Sequence, residues 1–255
     1  MLHAEVNVPI EIPLASSRSD RPDATDLDVD LQVTGPGGWR ATVPAFWAGE
    51  ERWAARLALP EPGSYEYATV CSDPSDTGLY GRSGRIEVHP YAGTNPLYRH
   101  GRIRVAEDRR HLEHADGTPF FWLADTWWMG LCRRLSWPDE FKELTRDRVE
   151  KGFSVIHIIA GLYPDMPAFD ERGANEAGFP WDREYRRLNP SYFDMADHRI
   201  GWLVSQGLVP CVVGCWGYFL PWMGVERMKR HWRNLVARWG AYPVVWCCLL
   251  YTSDA

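Results

Sequence analysis

No stretch of the chain collects Lys and Arg into a basic stripe, and the formal net charge is −6 over 255 residues. A polynucleotide partner is therefore excluded, because phosphate neutralisation needs such a stripe. No window holds the ~20 apolar residues of a membrane span. The opening MLHAEVNVPIEIPL has neither a basic n-region nor an apolar h-region, so no secretory signal is read there and a cytoplasmic protein without a membrane partner is expected. Cysteine is sparse: Cys71, Cys132, Cys211, Cys215, Cys247 and Cys248. Their spacing suggests neither a disulfide framework nor a zinc ribbon, and buried thiols are expected. Neither GxGxxG nor GxxxxGK[ST] follows a strand-like run, which disfavours dinucleotide or nucleotide binding. GxSxG and HExxH are missing, as is any close cluster of His and carboxylates. No cofactor and no catalytic metal are expected.

What is present is an ordinary globular composition, 45% hydrophobic and 24% charged, with 14 Trp and 11 Tyr. That is more aromatic surface than a core of this size needs, and flat rings stack well on the apolar faces of sugars. Up to about residue 92 the chain alternates short strand-like runs (LDVDLQV 27–33, RWAARLAL 52–59, SYEYATV 64–70, GRIEVHP 84–90) with the turn clusters GPGG, PEPG and SDPSDTG. Short strands at close spacing without a helical period predict a β-sandwich over residues 1–92.

From residue 93 the period changes. FFWLAD, FSVIHIIAG, LVPCVVGCWG and YPVVWCCL read as uniformly apolar strands near 120–125, 153–160, 208–215 and 243–249. Three helices lie between them. The first is opened by a capping box of Ser136 and Asp139 and closed at Gly152, and the second starts at Asn189 and Pro190 and ends at Gly207. The third carries Met228, Trp232, Leu235, Val236 and Trp239 on one face and stops at Gly240. Strands too apolar to face water, alternating with helices, require parallel pairing. The expected fold class is multidomain, β plus α/β: an N-terminal β-sandwich followed by the first half of a (β/α)8 TIM barrel over residues 93–255. The connection from Gly161 to Leu188 is the longest, and in a barrel it falls on the C-terminal face where sites are built.

Candidate site residues follow from inspecting each strand end. Asp125 closes the first strand beside Trp127 and Trp128, which suits gripping a sugar hydroxyl between stacking rings; capping of the next turn is the alternative. His157 shares a face with Val155 and Ile159 and points either into the barrel or at the helices. The long loop offers Tyr163, Asp165, Asp170, Trp181 and Asp182. At the third strand end stand Trp216 and Tyr218, followed by Phe219 and Trp222.

ADGTPFFWLADTWW, KGFSVIHIIAGLY, LNPSYFD, GLVPCVVGCWGYFLPW and ARWGAYPVVWC together resemble the apiosidase-like glycoside hydrolases, family 140. VPAFW, PEPGSYEY and GRSGRIEV resemble the Ig-like domain placed before such barrels. The resemblance implies a carbohydrate substrate, drawn from plant-wall or related polysaccharide side chains, and a retaining hydrolase with two carboxylates, one just after strand four and one late in the barrel. In relatives an acidic residue follows PVVWC. Here Cys248–Ala255 depart from that pattern and look like a translated adapter remnant of a metagenomic assembly, so Asp254 does not inherit a catalytic role. Three readings stay open: a glycosidase fragment without its catalytic carboxylates, a non-catalytic carbohydrate-binding protein, and a structural protein whose aromatics are core.

Overall fold

The computed structural model describes residues 1–19, 25–161, 163 and 166–247, with the side chain of Tyr218 left undescribed. Two compact units form: Met1–Thr94 with Trp232–Tyr242, and Asn95–His231 with the segment after Pro243.

In the first unit β1 (Leu2–Glu5), β2 (Ile10–Ala15), β3 (Val29–Thr34), β4 (Arg40–Gly49), β5 (Arg52–Leu57), β6 (Gly63–Cys71) and β7 (Ser83–His89) make one sheet in the order β1-β7-β6-β3-β4-β5-β2. Its two edge strands are consecutive in the chain, so the sheet nearly closes into a barrel. Strand β4 allows this by changing partners midway: residues 40–44 pair with β3 and residues 45–49 with β5. Alternation turns Val29, Leu31, Val33, Tyr65, Ile86 and Val88 inward, all nearly inaccessible. Each such side chain contributes roughly 1.5–3 kcal/mol of burial free energy. A second, smaller apolar cluster joins Phe46 and Ala54 to Ala237, and the Arg238 guanidinium lies 4.3 Å from the Phe46 ring centroid.

The 72–81 turn is held by Asp76, whose buried carboxylate accepts from Ser16 Oγ at 2.5 Å, Ser17 N at 2.9 Å and Gly78 N at 3.1 Å. Burial pushes this carboxyl up, but the Ser16, Ser17 and Gly78 donors outweigh it and hold it below the ordinary carboxylate range.

The second unit begins with α1 (Pro96–Arg99) and a small antiparallel sheet of β8 (Ile103–Val105), β9 (Leu112–His114) and β10 (Pro119–Phe120). Then follow β11 (Ala124–Trp127), α2 (Asp139–Glu150), β12 (Val155–Ile159), α3 (Pro190–Ser205), β13 (Val209–Val213), α4 (Leu220–Met223), α5 (Val225–Trp239), whose residues from Trp232 onward count with the first unit, and β14 (Val245–Cys247). The four strands β11-β12-β13-β14 pair in that order and all in parallel. FFWLAD is not one strand: Phe120 belongs to β10, Phe121 is 77% exposed, and β11 starts only at Ala124.

The caps differ in detail from expectation. At α2 the reciprocal bond comes from Glu140, whose Oε2 accepts from Ser136 N at 2.8 Å, rather than from Asp139. Asn189 does sit at the start of α3 before Pro190, but its amide does not cap the helix. Asn189 Nδ2 instead donates to Ala177 O and Phe179 O at 2.8 and 2.9 Å, tying down the long loop. Gly152 and Gly207 take φ of +77° and +79°, as helix-ending glycines do. On α5 the buried arc is turned from the expected one: Val236 is 38% exposed, while His231, Leu235, Arg238 and Trp239 are buried. No helix among the described residues is long and apolar enough to cross a membrane.

Replacing Asp76 with Ala is expected to cost about 3 kcal/mol, the loss of charge-assisted hydrogen bonds. Because its carboxyl is depressed in the folded state, the Asp76 contribution is full above the unfolded carboxyl range and lost as pH falls through the folded value. Urea midpoints of the parent and Asp76→Ala at pH 7 and pH 3 check both claims: the gap between them narrows in acid.

Candidate functional site

Side-chain parity on the parallel sheet decides which residues face what. Asp125 and Trp127 point toward α2: Arg148 Nε donates to Asp125 Oδ2 at 2.5 Å, and the Trp127 ring meets Phe141 edge-on at 5.4 Å. Thr126 therefore points to the opposite face. Register carries that face across the sheet, because Thr126 lies beside His157 and His157 beside Cys211.

Asp125 is not the free sugar acceptor expected at this strand end. Besides Arg148 it takes Trp127 Nε1 and Thr126 N, both at 2.8 Å. Burial raises the Asp125 carboxyl, yet the Trp127 indole, the Arg148 guanidinium and the Thr126 amide outweigh it and keep it below the usual range. Arg148 is shared with Asp147. The carboxylate is thus a clamp between β11 and α2. An open cavity of about 390 Å³ runs beside it, lined by Asp125, Thr126, Trp128, Arg134, Leu144 and Arg148 among others. Trp127 lines this cavity too, although it is only 6% exposed.

The remaining expected residues fare differently. The Trp128 and Trp216 rings meet at 5.4 Å with a 59° tilt. The Trp128 Nε1–H and His157 Nε2 are both buried without a hydrogen-bond partner. Burial pulls the His157 imidazole below its ordinary value, so it is neutral at pH 7. Beside it the Cys211 thiol is pushed up to about 12 by burial and by Cys247, which makes it unreactive. Native proteins leave few buried polar atoms unpaired, and a buried polar atom without a protein partner is one that ligand or water can satisfy.

Tyr163 is removed from the site: it is 4% exposed and clustered with Tyr192 and Cys132, and burial raises its hydroxyl well above the ordinary tyrosine range. Trp181 is core as well. Tyr218 falls outside the described side chains, as Asp165 falls outside the described residues. Asp170 is held by its own neighbour Arg172, and Asp182 accepts from Arg186 N at 2.7 Å.

The residue that reading by sequence passed over is His231. Its Nε2 lies 3.1 Å from Ala160 O and 2.6 Å from Gly214 O, and its Nδ1 lies 3.1 Å from Trp181 Nε1. Two carbonyls can only accept, so Nε2 carries the proton and Nδ1 accepts from the indole. One neutral, fully buried imidazole thereby ties the ends of β12 and β13 to the long loop. Burial lowers its pKa, although the Gly214 and Ala160 carbonyls work the other way. The signal lay in spacing: His231, Leu235 and Arg238 share a helical face. Arg199, also buried, grips Glu176 of the loop with both Nη atoms at 3.1 and 2.8 Å. Among the described residues no group of three or more His, Cys, Asp or Glu is placed to hold a metal ion.

His231→Leu is expected to destabilise the protein by roughly 3 kcal/mol, since it orphans an indole N–H and two carbonyls. A His depressed in the folded state contributes fully above the unfolded value of about 6.5 and loses that contribution as pH falls below it. Between pH 7.5 and 5.5 the parent should therefore lose more stability than His231→Leu, measured by urea unfolding. Asp125→Asn should also lower the urea midpoint, and an unchanged midpoint would contradict the clamp.

A comparison with curated proteins returns no match. Among solved structures, a candidate glycoside hydrolase from Bacteroides vulgatus aligns over 98% of this chain and 49% of its own, at TM-score 0.76 and 20% identity. A family 5 glycoside hydrolase from the same organism aligns over 60% of this chain and 33% of its own, at TM-score 0.48 and 23% identity. The first likeness shows the fold, and the chain spans about half the length of that protein. The model of the apiosidase-like catalytic domain matches residues 106–249, more than half of the sequence, and the chain belongs to that family.

Proposed function

We propose that the parallel-sheet unit is the sugar-binding part of a partial (β/α) barrel in a glycosidase acting on plant-wall or related polysaccharide side chains, with an Ig-like β-sandwich preceding it. The observations that carry this reading are two orphaned polar atoms, Trp128 Nε1 and His157 Nε2, and the tilted contact of the Trp128 and Trp216 rings. A sugar presents hydroxyls to the first two and an apolar ring face to the last two. Family membership supports the same chemistry.

Glycosidic cleavage needs a carboxylic acid to protonate the leaving oxygen and, in the retaining form, a second carboxylate ~5–5.5 Å away to attack the anomeric carbon. The only acidic residue within β11, β12 and β13 is Asp125, and it is committed to Arg148 on the far face. On this reading the catalytic pair comes from outside those three strands. Without an acid the leaving group departs unprotonated, a loss of about 10² to 10⁴ in rate, and without the nucleophile the covalent route is closed. The commitment of Asp125 equally favours a second reading, in which the protein binds carbohydrate and never cleaves it.

The test is to compare this chain with a version extended through the full barrel on one panel of aryl glycosides and plant-wall oligosaccharides. The 255-residue chain is expected to bind without turnover, and Trp128→Ala or His157→Ala should weaken binding ~10-fold, about the worth of one hydrogen bond or stacked ring. Turnover confined to the extended version supports a glycosidase, and binding without turnover in both supports the second reading. Turnover by the short chain that vanishes on Asp254→Asn would overturn the assignment of the carboxylates.

A further inference from the structure

The apiosidase-like match begins at residue 106 and leaves the seven-stranded sheet without an assigned role. On the outer face of that sheet lies a cavity of about 560 Å³, lined by Gln32, Thr34, Glu66, Ala68, Ser83 and Arg85. Register makes this an ordered surface. Thr34 pairs with Glu66 and Glu66 with Arg85, giving one row across β3, β6 and β7; Gln32 pairs with Ala68 and Ala68 with Ser83, giving the next. The opposite faces of the same strands hold the core residues Leu31, Val33, Tyr65 and Ile86. The outer rows are thus free of any duty in the core.

We propose that this outer face is a second carbohydrate site, separate from the parallel sheet, which takes a neutral oligosaccharide. Three observations select that ligand class. The site is charge-balanced: Arg85 Nε and Nη2 both reach Glu66 Oε1 at 2.8 Å, so neither an anion nor a cation gains net attraction. The lining is mixed: the half-buried Tyr67, which packs against the core and whose ring lies over Gly84, and Ala68 stand among polar side chains. These supply hydrogen-bonding groups of both kinds. The amide of Gln32 and the hydroxyls of Thr34 and Ser83 donate and accept, Glu66 keeps Oε2, and Arg85 keeps Nη1. This pattern matches a polyhydroxylated neutral ligand.

Stability does not account for the arrangement. Arg85 and Glu66 are 65% and 60% exposed, and an ion pair so solvated adds little to folding. The volume falls within the usual 300–1,000 Å³ of small-ligand sites. Solvated hydrogen bonds make affinity weak, as suits an anchor to a polymer that offers many copies of its unit.

The experiment is an NMR titration of the full chain with neutral xylo-, manno- and galacto-oligosaccharides and, in parallel, with galacturonate oligomers. Saturable amide shifts at residues 32–34, 66–68 and 83–85 are expected with at least one neutral ligand. They should persist in Trp128→Ala/His157→Ala and weaken at least ~10-fold in Gln32→Ala/Arg85→Ala, the worth of two lost hydrogen bonds. The latter variant changes exposed side chains only, and an unchanged amide spectrum elsewhere confirms its fold. No saturable shift on this face with any neutral ligand, shifts with galacturonate alone, or shifts unaffected by Gln32→Ala/Arg85→Ala would each overturn the proposal. Shifts at residues 126–128 and 157 with none on the outer face would sink it while leaving the parallel-sheet reading standing.

Discussion

Parallel pairing imposes a parity that a strand cannot escape, and in the second unit one residue reveals it. Arg148, on α2, reaches Asp125. Once Asp125 faces the helix, Thr126 faces away from it, and the register of β11 with β12 and of β12 with β13 puts His157 and Cys211 on that same far side. A one-residue slip would exchange the two sets, burying the Thr126 row under helices and leaving the guanidinium without its carboxylate. The clamp thus fixes which groups are available for a ligand without touching one.

His231 performs the complementary task at the ends of the strands. Backbone that leaves a parallel strand carries carbonyls with no ladder partner, and burying Ala160 O and Gly214 O unpaired would cost a few kcal/mol. A single imidazole supplies the donor for both and, through Nδ1, the acceptor for Trp181. Arginine, always a cation with no acceptor, is unsuited to this place; a neutral His satisfies all three neighbours. Charging it would remove the acceptor from a buried indole. Rigidity at the strand ends matters because Trp216 follows Gly214 by two residues, so its ring position depends on where that carbonyl is held.

What could be read in the sequence followed from how one-sided each strand is. LDVDLQV alternates because one face of β3 is buried and the other wet, and β3 formed where expected. Strands β1, β2 and β4 escaped notice for physical reasons: β1 has four residues, β2 contains Pro13, and β4 contains Pro44 just where it changes partner. Proline argues against a central strand, and here it sits at an edge and at a switch. The apolar β-runs of the second unit announced parallel strands, but two-sided burial erases the alternation that would have told inside from outside. That is why the partners of Asp125 were not foreseen and the direction of His157 stayed open. His231 was hidden because a polar residue on an amphipathic helix reads as exposed until its partners are known.

The two unpaired sets of polar groups are different in kind, and the difference bears on what each can do. Trp128 Nε1 and His157 Nε2 are buried, so leaving them unpaired carries the full desolvation cost, and a ligand that pairs them recovers it. Such a site discriminates sharply, because a ligand lacking the matching hydroxyl leaves the cost standing. Gln32, Thr34 and Ser83 line an open groove and are hydrated when empty, so a ligand merely exchanges water for hydroxyl there. Little affinity and little discrimination follow from that exchange. On the two proposals made above, one costly, selective set and one hydrated, permissive set separate choosing a sugar from staying near a polymer, and nothing in the chemistry of either set breaks a glycosidic bond. That work falls to carboxylates, and the one that closes β11 is spent on holding the strand to its helix.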